Sequence, residues 1–206
     1  MSGEVKPDVI AGIILAAGAS SRMGRPKALL EYRGETFVDR LIRIFSRCCD
    51  PVIVVAGYHA DAIGARVRSS HGGRAKFVVN PDPDRGQLSS LQTALGEVPK
   101  GAEGFLFTPV DSPVVEETTV AALIDALRAR GRTSRALFAI PRYRGKRGHP
   151  VCAAGAMIPE FLALPPTAET RVAIDQRADR IAYIDVDDSG VLADIDDLEA
   201  YRKLAG

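Results

Sequence analysis

The chain has 206 residues, 46% hydrophobic and 26% charged, with 27 Lys+Arg against 26 Asp+Glu. That length suits one α/β domain with a sizeable core. The near-zero charge balance argues against a nucleic-acid coat or an acidic tail, so anion binding must come from local placement of charge. No apolar run approaches the ~18–20 residues of a bilayer span, and the first nine residues lack an apolar signal segment. The three cysteines, Cys48, Cys49 and Cys152, form no CxxC pattern and read as reduced thiols. Together these features predict a cytoplasmic protein whose partners include neither membrane nor nucleic acid.

Short apolar runs alternate with helical patterns along the chain. VIAGIIL (9–15) reads as a strand buried on both faces, and VIVVA (52–56), FVV (77–79) and GFLFTPV (104–110) read as further strands. Between the first two, Phe37, Leu41, Ile44 and Phe45 fall on one stripe at helical spacing within 37–48. Residues 59–69, 87–97 and 116–130 are further predicted helices. Repeated strand–helix alternation implies an α/β fold: a Rossmann-like, mostly parallel sheet with helices on both faces. In such sheets ligands sit at the carboxyl ends of the strands, where the first loop is long. Beyond about residue 134 the pattern changes. ALFAIPRY (136–143) and HPVCAA (149–154) flank a Gly-rich basic loop and predict a small antiparallel pair. Helices near 155–163 and 168–178, a strand at 181–186 and a last helix at 195–204 complete the reading.

The first strand runs into Ala16-Ala17-Gly18-Ala19-Ser20-Ser21-Arg22-Met23-Gly24-Arg25-Pro26-Lys27. Small residues let backbone N–H groups approach a phosphate, and Gly18 and Gly24 permit dihedrals other residues avoid. Arg22 and Lys27 supply charge that backbone dipoles alone do not, and Pro26 restricts the backbone just before Lys27. Two common phosphate motifs do not fit. Five residues separate Gly18 from Gly24, and Arg25 follows, so this is no Walker A loop; the G-x-G-x-x-G dinucleotide fingerprint is also missing. The alternative is a plain Gly/Ser connection whose cations face water.

LAAGASSRMGRPK resembles the signature loop of nucleotidyltransferases with the nucleotide-diphosphosugar-transferase fold. The molybdenum-cofactor branch, of the molybdopterin cytidylyltransferase type, is the nearest in pattern. NPDPDRGQLSSLQTAL (80–95), PVDSP (109–113), RGHPV (147–151) and ADIDDLEAY (193–201) follow in the family's order, so the resemblance spans nearly the whole chain. It implies one domain, with a nucleotide-binding part at about 8–133 and an acceptor-side region at about 134–190. It also implies that Arg22 and Lys27 grip the phosphates, Lys27 nearest the α-phosphate, and that Leu15, Ala16, Ala17 and Gly18 meet base and ribose. Asn80, Gly86, Ser89 and Ser90 would complete that wall, although Ser90 also reads as a helix cap. Asp111, expected at a strand's carboxyl end, would bind Mg²⁺, an ion that favours oxygen ligands and substrate phosphates; alone it would read as a turn residue.

In the last motif the family's Asp-x-Asp-Thr-Pro-Glu-Asp is shortened, which makes Asp194 the expected second metal ligand, Asp196 its alternative and Asp197 a helix cap. His149, Arg147 and Arg171 are the expected acceptor-binding residues, with His149 orienting; a basic hairpin tip is otherwise a solvated face. The implied reaction is Mg²⁺-dependent transfer of NMP, with CTP favoured, to a phosphorylated small molecule, molybdopterin first, and a molybdoenzyme as a further partner. Three rivals stand beside it: a cytidylyl- or uridylyltransferase for a sugar or polyol phosphate, a Rossmann-type oxidoreductase, and a non-catalytic chaperone that binds nucleotide or cofactor. The missing dinucleotide fingerprint argues against the oxidoreductase.

Overall fold

The first strand, β1 (Ile10–Ala16), is buried along its whole length, because it lies at the middle of a sheet covered on both faces. Its side chains alternate as a pleated strand requires. Ile10, Ile14 and Ala16 enter one apolar core, and Ala11, Ile13 and Leu15 enter a second. The computed structural model describes residues 9–129 and 135–205; the N-terminal segment and the last residue of the expected 116–130 helix lie outside them.

A small hairpin, β2 (Glu31–Tyr32) and β3 (Glu35–Thr36), leads into α1 (Phe37–Phe45). There follow β4 (Val52–Ala56), α2 (Ala60–His71), β5 (Ala75–Val79), α3 (Gln87–Leu95), β6 (Gly104–Pro109) and α4 (Glu117–Arg128). The later part holds β7 (Phe138–Tyr143), β8 (Lys146–Arg147), β9 (Val151–Ala154), α5 (Ile158–Ala163), α6 (Arg171–Asp175), β10 (Ile181–Asp185) and α7 (Leu198–Ala205). The main sheet runs β10-β7-β9-β6-β1-β4-β5, with β8 paired to β7. β6, β1, β4 and β5 are mutually parallel. β9 runs antiparallel to both β6 and β7, and β10 is parallel to β7. The expected antiparallel pair is thus part of the main sheet and is joined edgewise to its parallel half through β6.

The predicted stripe of α1 holds: Phe37, Leu41, Ile44 and Phe45 are all at most 1% exposed. Gly12 lets this helix approach β1, since a Cβ there would stand 2.9 Å from the Phe45 ring. On the opposite face Phe161 of α5 packs edge-on to Phe105, Phe107 and Phe138, with ring centroids 5.7, 6.2 and 6.3 Å away. All three cysteines are free; Cys49 and Cys152 are buried, and burial pushes the Cys49 thiol up to about 12.

Several helices are shorter than the sequence implied, α1 ending at Phe45 and α5 starting at Ile158 among them. The 168–178 helix is reduced to Arg171–Asp175, because Arg177 leaves helical dihedrals, at φ −123° and ψ 32°. The last helix starts at Leu198, because the Ile195 N–H is donated to the Asp111 carbonyl at 3.0 Å. Asp197 caps it as expected, accepting from the Ala200 N–H at 2.8 Å.

One buried carboxylate ties α1 to α2. Asp39 is 6% exposed and accepts from Thr36 Oγ1 at 2.6 Å, Arg66 Nε at 2.7 Å and His71 Nε2 at 2.8 Å. Burial opposes the charge, but these donors overcome it and hold the carboxyl below its ordinary range. Asp39→Ala is expected to cost about 1–3 kcal/mol, because it strands buried donors. A depressed folded-state pKa contributes stability that is present above the unfolded value and lost as pH falls through the folded one. Denaturant titrations of both proteins should therefore show the gap at neutral pH and its narrowing in acid.

Candidate active site at the carboxyl ends of the central strands

The loop after β1 is shaped by its own backbone. Ser20 takes φ +52° and Gly24 φ +67°, and the Met23 N–H closes a turn on the Ser20 carbonyl at 2.9 Å. Met23 plugs the loop into the core at 4% exposure. Ser20 Oγ then accepts the Lys27 N–H at 3.0 Å, and Pro26, at φ −58°, starts the short 3-10 turn Lys27–Leu29. Lys27 is thereby fixed at the backbone, and its long side chain, 13% exposed, extends to Asp111 and Asp196.

Above this loop lies a cavity of about 320 Å³, lined by Leu15, Ala16, Ala17 and Gly18, by Lys27, and across from them by Gly86, Gln87, Ser90 and Asp111. Ala17 is held from behind: its carbonyl accepts the Tyr58 N–H at 3.2 Å. Gly57 permits this closeness, because a Cβ there would stand 2.9 Å from that carbonyl and 2.7 Å from Pro83. Asn80 and Ser89 are turned into the fold. The Asn80 amide donates to Ser89 Oγ at 2.8 Å and Ser90 Oγ at 3.0 Å, and its carbonyl accepts the Asp82 N–H at 3.0 Å. They brace the loop before α3, whereas Ser90 and Gly86 reach the cavity wall.

At the cavity's end three carboxylates converge. Asp111, Asp194 and Asp196 each place an oxygen within 4.8 Å of the others. Lys27 Nζ donates to Asp111 Oδ2 at 2.8 Å and to Asp196 Oδ1 at 2.6 Å. Burial works against the ammonium, but the two carboxylates prevail and raise its pKa. The Lys27 hydrogen bond lowers the Asp196 pKa, with a smaller contribution from the field of exposed Arg22. Asp194 moves the other way: local desolvation first, then the charges of Asp111 and Asp196, push its carboxyl up. This surplus of negative charge on hard oxygen donors fits a small divalent cation.

A second cavity, of about 390 Å³, shares Gly86 and Gln87 with the first and continues to Phe107, His149, Val151, Thr170 and Arg171. A side lobe brings in Arg147. His149 Nδ1 is buried without a hydrogen-bond partner among the described residues, and burial lowers its pKa against the opposing field of Asp111. Arg147 pairs with Asp175 at 3.2 Å and exposed Arg171 with Glu169 at 2.7 Å. The basic hairpin tip, Arg144-Gly145, turns through positive φ at both residues, and neither residue lines these cavities. Gln87, which lines both cavities, and Ser20 were not singled out from sequence. Ser20 carries no signal beyond being small and polar; Gln87 could be found only by its place at a helix start.

Residues 12–181 match the MobA-like NTP transferase domain. Nicotine blue oxidoreductase of Paenarthrobacter nicotinovorans is 32% identical over 209 residues, 98% of this chain and 99% of its own. Molybdenum cofactor cytidylyltransferase of Escherichia coli (strain K12) is 27% identical over 184 residues, 89% of each chain. Among solved structures, Rv0371c from Mycobacterium tuberculosis H37Rv has a TM-score of 0.79 at 27% identity, covering 98% of this chain and 99% of that one. A manganese complex of Rv0371c gives 0.75 at 26%, covering 96% and 98%. Among the described residues no helix is long and apolar enough to cross a membrane. With most of the chain matched, and the first-loop cavity built from the matched part, this protein is a member of the MobA-like NTP transferase family of nucleotidyltransferases.

Proposed function

We propose that this protein transfers CMP from CTP to a phosphorylated small molecule, releasing pyrophosphate, with molybdopterin as the first candidate acceptor. The observation that carries the reading is the meeting of Lys27 with Asp111, Asp194 and Asp196 at the end of a cavity floored by the first loop. Nucleotidyl transfer depends on positioning and on neutralising phosphate oxygens, and it needs no covalent enzyme intermediate. Loop groups from Leu15 to Gly18 bind base and ribose. Lys27, with exposed Arg22, stabilises the equatorial oxygens of the attacked α-phosphorus.

Asp111 and Asp194, with Asp196 beside them, would hold the Mg²⁺, which when bound would neutralise charge on the phosphates. Gly86 and Gln87 join the two cavities, so an acceptor beside His149, Arg147 and Arg171 lies next to the nucleotide. His149 orients this acceptor, since a phosphate is already nucleophilic near neutral pH. A pyrophosphate-release screen of each NTP against phosphorylated acceptors, with Mg²⁺, tests the assignment; no release with any pair rejects it.

Base choice is expected to rest on Ala17, whose buried methyl lies on the cavity wall. One methyl is worth about 1–3 kcal/mol, so CTP should be preferred over GTP by about 10–200-fold. Ala17→Gly should narrow that ratio of kcat/KM. Equal or better use of GTP by the unmutated protein removes the case for cytosine and leaves nucleotidyl transfer standing.

A redox reading draws on the end-to-end 32% identity to nicotine blue oxidoreductase. The first loop lacks the G-x-G-x-x-G dinucleotide fingerprint, which favours the first reading. Turnover of nicotine blue with a nicotinamide cofactor, without pyrophosphate release, would reverse that order.

A further inference from the structure

We propose that Lys27 and the divalent cation compete for the same carboxylates, so that nucleotide, by drawing the Lys27 ammonium onto its phosphates, creates the metal-binding form of the site. The inference rests on the nucleotidyl-transfer reading and adds to it a binding order and a coupling.

The geometry is specific. Lys27 Nζ bridges Asp111 Oδ2 at 2.8 Å and Asp196 Oδ1 at 2.6 Å, and its side chain is 13% exposed. Among the described residues, oxygens of Asp111, Asp196 and Asp194 are close enough together to share one ion. An ion bound by them would stand beside an ammonium already bonded to two of the same three carboxylates, and neighbouring like charges repel. Two of the three ammonium protons already have carboxylate partners, so Lys27 supplies the charge neutralisation that the ion would otherwise supply.

Lys27 also lines the first cavity together with Ala17, Gly18 and Ser20, so the phosphate side offers it a second set of anionic partners. The backbone cannot follow, because the Lys27 N–H is bound to Ser20 Oγ at 3.0 Å and Pro26 precedes it. Movement falls to the flexible four-carbon stem, a two-position element inside a rigid loop. Any nucleotide that takes the ammonium must tighten the cation, and by linkage the cation must tighten the nucleotide equally.

Mn²⁺ titration followed by the EPR signal of the free ion tests this on the full chain, with and without saturating α,β-methylene-CTP. The unmutated protein is expected to bind Mn²⁺ about tenfold or more tightly with the analogue, within the usual range of such couplings. Lys27→Met should bind Mn²⁺ about tenfold more tightly than the unmutated protein without nucleotide, and the analogue should add less. Lys27→Arg keeps the charge and should stay weak, which separates charge from packing; thermal melts check that each variant is folded. Unchanged or weaker binding by Lys27→Met, in a site that Asp111→Asn abolishes, overturns the competition and leaves the transferase reading intact. Equal Mn²⁺ binding by Asp111→Asn and the unmutated protein removes both.

Discussion

Asp111→Asn is expected to lower Mg²⁺-dependent pyrophosphate release by at least about 10³-fold, the scale of losing several kcal/mol of metal-borne charge stabilisation. The fold should survive. Asp111 follows β6 by two residues, its side chain is 20% exposed, and its backbone carbonyl, which accepts the Ile195 N–H, is untouched by the change. The amide keeps the size of the carboxylate but gives up the charge that a hard cation requires. The same assay applied to Asp194→Asn and Asp196→Asn ranks the other two. Asp194, raised in pKa by desolvation first and then by its like-charged neighbours, should fall nearly as far as Asp111. Asp196, whose side chain is 51% exposed, should lose less. A dead Asp196→Asn beside a normal Asp194→Asn would reverse the assignment of the second ligand. A melting temperature of Asp111→Asn far below that of the unmutated protein would point to a structural role instead.

Lys27→Ala should reduce kcat by roughly 10²–10³-fold, as loss of one charge-stabilising donor does. On the proposed reading loop backbone groups and Arg22 also hold the ground state, so the KM for nucleotide should change little. An equal rise in KM with unchanged kcat would mean that Lys27 binds the substrate and the transition state alike. The variant should also reach half its reduced rate at a lower metal concentration, since removing the ammonium frees Asp111 and Asp196. A catalytic cation that merely repels the metal and a catalytic cation that stabilises the phosphorus centre make opposite contributions to rate at limiting Mg²⁺. Measuring the rate at limiting and at saturating Mg²⁺ separates them.

Much of this was written locally. Periodicity placed the central strands and the α1 stripe within a residue or two, because burial on both faces of a parallel sheet leaves uninterrupted apolar runs. The first loop was legible for a similar reason: small residues, Gly24 and Pro26 act on their own few neighbours. Asn80 and Ser89 were legible as part of a motif, but the motif did not tell that they brace the loop from inside. The junction of the two cavities at Gln87 depends on how α3 meets the 164–171 segment, which no local pattern carries.

Sequence alone determined that a lysine on a rigid turn and an aspartate at a strand end belong to one loop-and-sheet edge. Only the tertiary structure decided which carboxylates join them. Asp194 and Asp196 flank Ile195, whose side chain is 5% exposed and whose N–H is bound to the Asp111 carbonyl. In an extended segment, residues two apart project to the same side when the one between them points inward. One apolar anchor and one backbone hydrogen bond, made between segments more than eighty residues apart in the chain, therefore present both aspartates to Lys27.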